Sequence, residues 1–192
     1  PKTKAIIAVD FTGHPANLEA IGEIAKNNNL AFIEDAAHAL GTTYKNKKVG
    51  SIADMTTFSL HPVKHITTGE GGLVVTNDSD FAERLRRFRN HGISRDHHQR
   101  QEQGTWSYDM EEIGYNYRLT ELNSVLGISQ LQKLPGMLAR RREIAARYNE
   151  AFSGVPQLTP PTEHPDCQSA WHLYVIKLNL ENLVKDRDEV FR

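Results

Sequence analysis

The side chains most able to do chemistry follow two apolar runs in the first half of the chain. Asp35 ends the first run, and His38 comes three residues later. Ser59 ends another run, and Lys64 comes five residues later. A lysine amine can condense with an aldehyde and can then move a proton between carbon atoms. These four residues are therefore candidates for one reactive site.

The elements that must position these residues alternate between strands and helices. Helices are predicted over residues 17–26, where apolar residues recur on one face, and from the capping residue Asp78 through Arg89. Short apolar runs predict buried, largely parallel strands at residues 4–9, 30–33, 55–59 and 73–76. This order predicts an α/β sandwich, and such open sheets place ligand sites at the carboxyl ends of their strands.

The second half begins with a polar stretch over residues 94–105 that predicts a surface loop. Apolar residues on one face then predict a helix over residues 119–131. Pro135 and Gly136 predict that this helix is interrupted before a second, strongly charged helix over residues 138–152.

The last part of the chain has a different composition. Four prolines between residues 156 and 165 predict a stiff linker. Residues 171–180 are typical of the first strand of a further domain. We therefore expect one domain over residues 1–153, with the linker and the beginning of a second domain over residues 154–192.

Composition excludes several classes of function. The chain has 192 residues, 39% of them hydrophobic, which is enough for a sizeable core. Lysine and arginine total 23 against 24 aspartate and glutamate residues, so no overall charge favours nucleic acid or acidic lipid. No apolar run approaches the roughly 20 residues that span a bilayer. The single cysteine, Cys167, is typical of a reducing compartment, and we expect a soluble cytoplasmic protein.

Three motifs extend the pattern around the candidate site. Residues 59–64 read Ser-Leu-His-Pro-Val-Lys, residues 106–110 read Trp-Ser-Tyr-Asp-Met, and residues 114–122 read Gly-Tyr-Asn-Tyr-Arg-Leu-Thr-Glu-Leu. With residues 33–72 as a whole, they resemble the DegT/DnrJ/StrS family of sugar aminotransferases, which are pyridoxal-phosphate enzymes of fold type I. The resemblance implies an incomplete α/β/α sandwich with a mainly parallel sheet, followed by the start of a small α+β domain.

The resemblance also implies a reaction. Family members of the most similar branch transfer an amino group from L-glutamate to a nucleotide-linked 4-keto-6-deoxy-N-acetylhexosamine, for pseudaminic acid or related coat sugars. Related sugar dehydratases have histidine in place of the lysine, so Lys64 favours transamination. The alternatives are such a dehydratase, or a non-catalytic fragment or regulator that uses the fold for binding or dimerisation.

Each candidate residue takes a role by this resemblance. Lys64 forms the Schiff base with pyridoxal phosphate and moves protons. Asp35 pairs with the pyridine nitrogen and keeps it protonated, so that the ring can accept electron density. His38 approaches the ring near its 3-oxygen, and Ser59 binds the phosphate. Asn116 reaches the phosphate of a neighbouring subunit, which implies a homodimer.

Family members extend beyond both ends of this sequence. They have an earlier segment that holds a phosphate-binding helix N-terminus and an aromatic ring over the cofactor, and they continue past the equivalent of Arg192. We therefore expect a fragment that alone binds pyridoxal phosphate weakly and has little transaminase activity.

Each residue also has an ordinary structural explanation. Lys64 alone is consistent with a surface lysine, Asp35 with a strand-end cap and Asn116 with a turn former. His61 and His65 are four residues apart, as helical metal ligands are, but the intervening proline argues against a helix. They are predicted to be solvated or turn histidines, with no metal, and the clustered arginines to be solvated helix faces.

Overall fold

The computed structural model describes residues 2–93, 101–102, 104 and 106–190. Its helices are α1 (Leu18–Asn27), α2 (Ser79–Phe88), α3 (Glu121–Ala151) and α4 (Arg187–Val190), with short 3-10 turns at Phe11–Gly13 and Leu180–Asn182. Its strands are β1 (Ala5–Val9), β2 (Ala31–Asp35), β3 (Thr43–Tyr44), β4 (Lys47–Lys48), β5 (Met55–Ser59), β6 (Gly72–Val75), β7 (Leu158–Thr159), β8 (Cys167–Gln168) and β9 (Lys177–Leu178).

The four apolar runs of the first half form one sheet, as predicted. The strand order is β1-β2-β5-β6, in which the first three strands are parallel and β6 is antiparallel to β5. Side chains that alternate along β2 and β5 face the core, where Phe32 and Phe58 are buried. The sheet is therefore mixed but mainly parallel, and the carboxyl ends of β1, β2 and β5 share one edge.

Local capping fixes the two helices of the first half. The side chain of Asn17 accepts a hydrogen bond from the backbone N–H of Ala20, and α1 then packs its buried Leu18 on the sheet. Burial of a leucine side chain contributes about 2 kcal/mol. Asp78 caps α2 by accepting from the N–H groups of Asp80 and Phe81 at 2.8 and 2.9 Å. Both predicted helices are confirmed.

The predicted break at Pro135 and Gly136 is wrong, because α3 runs through both residues as a single helix of 31 residues. A proline inside a helix removes one hydrogen bond and costs about 3 kcal/mol. Here Leu134 and Leu138 are buried on either side of it, in a cluster with Leu60, Ile66 and Ala170. The carbonyl that loses its partner belongs to Leu131, which is exposed, so water can reach it. Tertiary packing therefore outweighs the local cost.

The predicted strand over residues 171–180 is also wrong, since only β9 within it is extended and paired. Trp171 has φ +48°, a left-handed conformation that no strand accepts. Just before it, β8 pairs with β3, so this part of the chain lies on the first part. The division at residues 153 and 154 stays a prediction. The loop predicted over residues 94–105 lies mostly outside the described residues.

Candidate active site

Asp35 and Ser59 lie at the same edge of the sheet, because β2 and β5 are parallel neighbours and each ends at one of them. The register sets Asp35 beside Thr57, and the carbonyl of Thr57 accepts from the next N–H after Asp35 at 3.0 Å. The Asp35 carboxylate accepts from the N–H of Ala37 at 3.1 Å and remains half-buried. The chain thus holds a fixed acid where ligands of such sheets bind.

Lys64 lies on the loop that joins β5 to β6. Its backbone N–H donates to the carbonyl of His61 at 2.9 Å, and its side chain is half-buried. The loop closes on itself, since Leu60 donates to the carbonyl of Gly71 at 2.8 Å and Thr68 donates to that of Leu60 at 3.1 Å. The amine is therefore carried by a folded loop with a buried base.

Gly71 is required for that loop. Its φ is +153°, and a β-carbon there would lie 2.5 Å from Oγ1 of Thr68 and 3.0 Å from Leu119. The Thr68 hydroxyl donates to the carbonyl of Glu70 at 2.7 Å, so it has little freedom to move away. The glycine at position 71 is explained by this close approach of chain to chain.

His38 is influenced by both the Asp35 carboxylate and the Lys64 amine. Burial lowers the pKa of His38, the charge of Lys64 lowers it further, and the charge of Asp35 partly opposes them. The Nδ1 atom of His38 is buried and has no hydrogen-bond partner among the described residues. Asp35 and Lys64 therefore both lie near enough to His38 for their charges to act on its ring.

Ser59 and Asn116 differ in their relation to this group. The Ser59 hydroxyl accepts from the N–H of His61 at 3.4 Å and lies at the site's edge of the sheet. Asn116 is exposed and forms a backbone bridge with Asn90, near the end of α2. Among the described residues, no hydrogen bond joins Asn116 to Asp35 or Lys64.

Two further histidines, which the sequence did not indicate as site residues, extend the site from His38: His172 packs on His38, and His65 packs on His172. The rings of His38 and His172 have centroids 4.4 Å apart, and those of His172 and His65 are 5.2 Å apart. Burial lowers the pKa of both His65 and His172 to about 4. His65 was predicted to be solvated or in a turn, but it is 4% exposed, so solvation is wrong. Within the described residues, no cluster of three or more metal-ligating side chains occurs.

His65 is held by a residue far along the chain. Its Nε2 lies 3.0 Å from the carbonyl of Ala170, and because a carbonyl only accepts, Nε2 carries the hydrogen. The one signal for His172 was a histidine within an otherwise apolar and aromatic stretch. A pairing 105 residues apart leaves no local pattern that could have predicted it.

A pair of carboxyl groups lies under the site. Asp10 and Glu34 are both 0% exposed at the ends of β1 and β2. Burial raises the pKa of Asp10 to about 8, the Ala16 N–H lowers it, and the charge of Glu34 raises it. Glu34 accepts from the Thr56 hydroxyl at 2.9 Å. The charge of Glu34 and a hydrogen bond with it thus help to keep a proton on Asp10.

The α/β sandwich is that of the fold-type-I transferases, with an acid at the end of β2 and an amine on the loop that follows the neighbouring strand β5. The chain belongs to the DegT/DnrJ/EryC1/StrS aminotransferase family, whose model matches residues 1–192. Among the described residues, no helix combines the length and hydropathy needed to cross a membrane.

Three comparisons illustrate the family relation. The UDP-4-amino-4,6-dideoxy-N-acetyl-beta-L-altrosamine transaminase of Helicobacter pylori is 40% identical over 93% of this chain and 46% of its own length. The structure of Helicobacter pylori PseC, an aminotransferase of pseudoaminic acid biosynthesis, has TM-score 0.84 and 40% identity, over 94% of this chain and 47% of PseC. The structure of Spr1654 from Streptococcus pneumoniae, in its PLP form, has TM-score 0.83 and 30% identity, over 93% of this chain and 48% of Spr1654. The chain spans about half the length of the curated relatives it matches.

Proposed function

We propose that this chain works within a pyridoxal-phosphate-dependent aminotransferase of about the length of its relatives. The amino group passes from L-glutamate to a nucleotide-linked 4-keto-6-deoxy-N-acetylhexosamine, in the synthesis of a surface polysaccharide or glycan in the cytoplasm. The observation that carries the proposal is that Asp35 ends β2 while Lys64 follows the end of the neighbouring parallel strand β5, with both charges acting on His38.

The described residues fit the cofactor. A buried polar atom without a partner costs about 1–3 kcal/mol, so an oxygen of a ligand beside Nδ1 of His38 would relieve that cost. When bound, pyridoxal phosphate supplies an aldehyde for an amine and a ring that accepts electron density. Lys64 would hold the aldehyde carbon, Asp35 the ring nitrogen and Ser59 the phosphate.

Each side chain then has a defined task. With the cofactor bound, the Lys64 amine would move a proton between the substrate carbon and the aldehyde carbon of the cofactor. Asp35 would keep a proton on the ring nitrogen, and the hydrogen bond that its carboxylate accepts from Ala37 fixes the direction of that carboxylate. The Ser59 hydroxyl would donate to a phosphate oxygen. Lys64 in the place of the dehydratase histidine supports transamination.

Subunit association supplies the remaining contact. Asn116 is exposed, which suits a residue that reaches the phosphate of a neighbouring subunit in a homodimer. Apolar residues on the first half of α3 are also exposed, with Leu122 at 84% and Ile128 at 61%. A face of this kind in a soluble protein is typically covered by further chain or by a partner.

The half-reaction with L-glutamate tests this function. The full-length protein, loaded with pyridoxal phosphate and mixed with L-glutamate, should release 2-oxoglutarate equal to the enzyme present and gain the absorbance of the pyridoxamine form. Lys64→Ala should abolish both signals, whereas Lys47→Ala, on an exposed strand, should retain them. No 2-oxoglutarate from the loaded wild type would reject transamination.

A further inference from the structure

The ring of His172 lies on the ring of His38. Their centroids are 4.4 Å apart with an interplanar angle of 39°, and His65 packs on His172 at 5.2 Å. The Nδ1 atoms of all three rings are buried without a hydrogen-bond partner in the described part of the chain. His38 is thus bounded on one side by the ring of His172.

The backbone that presents His172 is held at several points. Trp171 has φ +48°, and such a conformation costs on the order of 1–3 kcal/mol for a bulky residue. Its N–H donates to the Ser169 hydroxyl at 3.0 Å, and its carbonyl accepts from Arg141 at 3.1 Å. The N–H of His172 donates to the carbonyl of Thr12 at 2.8 Å. The strain persists because the surrounding contacts impose it.

Gly13 brings this segment against the backbone of His38. A β-carbon at Gly13, whose φ is +100°, would lie 2.9 Å from both the His38 carbonyl and the Trp171 nitrogen. The Thr42 hydroxyl donates to the Gly13 carbonyl at 2.7 Å and accepts from the N–H of Ala170 at 3.0 Å. The distance between the two histidines is therefore set by the backbone, independently of the rings.

We infer that His172 is a positioning residue, whose ring packs on His38 and fixes the direction in which the His38 imidazole meets the cofactor. The inference rests on the proposed function, since it gives His38 a ligand to meet. Without the His172 ring, a cavity would open and the His38 ring could rotate between its side-chain conformations. Burial is the largest cause that lowers the pKa of His172 to about 4, so its ring is neutral at physiological pH and packs on His38 without a charge of its own.

Three variants of the full-length protein test the role. His172→Ala and His172→Gln remove the ring, whereas His172→Phe keeps a ring of similar thickness. We expect the first two to shift the pH titration of the bound cofactor's absorbance and to lower kcat roughly ten- to a hundredfold, with KM for glutamate little changed. His172→Phe should have a cofactor titration and a kcat close to those of the wild type. His164→Ala, at an exposed histidine of the same segment, should match the wild type.

A second readout needs no cofactor. In the cofactor-free protein, the ring protons of His38 should lose the ring-current shift of His172 in the Ala and Gln variants and keep a similar shift in the Phe variant. If His172→Ala does not fold, comparing the His38 ring-proton shifts of His172→Gln and His172→Phe tests the same role. Folded ring-less variants with an unchanged cofactor titration would overturn the inference. A wild type that gives no 2-oxoglutarate would instead reject the proposed function.

Discussion

Asp10 is a buried acid whose protonation state differs between the folded and the unfolded protein. Asp10 and Glu34 are both 0% exposed beneath the strand ends that carry Asp35, and the backbone N–H of Asp10 donates to the Asp35 carbonyl at 3.0 Å. Burial is the largest cause that raises the pKa of Asp10 from 3.8 to about 8. Asp10 is therefore mostly neutral at pH 7 in the folded protein, and ionised in the unfolded one.

This difference predicts a pH dependence of stability. The folded state keeps a proton that the unfolded state loses above about pH 4, so stability should fall as pH rises from 4 to 8, by about 1 kcal/mol per unit. Asp10→Asn resembles the protonated acid and should flatten this slope, which urea unfolding at pH 5, 6 and 7 measures. Asp188→Asn, an exposed control, should keep it. An unchanged slope in Asp10→Asn would show that another group titrates.

The loop between β5 and β6 shows how an element carries a reactive residue. Its closure fixes the backbone on both sides of Lys64, and that closure needs a residue without a β-carbon at position 71. The sequence revealed Lys64 and the glycines as motif members, but not the contact with Thr68 that explains them. That contact depends on how the loop folds back, which spacing alone does not specify.

Gly71→Ala should therefore loosen the loop. The added carbon meets Thr68 at 2.5 Å, so we expect a loss of about 2 kcal/mol in unfolding free energy and weaker pyridoxal phosphate binding in the full-length protein. Gly154→Ala is the matched control, because it also has positive φ, +79°, but nothing within 4 Å. Gly154→Ala should lower the unfolding free energy by about 1 kcal/mol and leave cofactor binding intact. Equal cofactor binding by Gly71→Ala and the wild type would contradict this account.

Across the whole chain, prediction from the sequence succeeded where structure is locally determined. The sheet strands depend on short apolar runs, and the predicted cap of α2 depends on the single side chain of Asp78. It failed where distant contacts decide. Pro135 is tolerated because its neighbours pack on another part of the chain, and Trp171 is held left-handed by partners remote in sequence. The position of His172 against His38 has the same origin.

Leu138 tests how far these distant contacts hold the chain together. It is 6% exposed and joins α3 to Leu60, Ile66 and Ala170, which belong to the lysine loop and to the last segment. Leu138→Ala should lower the unfolding free energy of the 192-residue chain by roughly 2–4 kcal/mol, as measured by urea unfolding. Leu180→Ala, at a residue 67% exposed, should change it by less than about 0.5 kcal/mol. Equal effects of the two changes would mean that this cluster does not hold α3.

The covalent bond between Lys64 and the aldehyde of pyridoxal phosphate is the central element of the proposed function. The full-length protein, incubated with pyridoxal phosphate and reduced with borohydride, should carry one stable pyridoxyl group, which peptide mapping should place on Lys64. Lys64→Ala should lose the group, and Lys48→Ala, at an exposed strand position, should retain it. A pyridoxyl group on another lysine of the wild type, or none on Lys64 in a protein that still transaminates, would contradict the account.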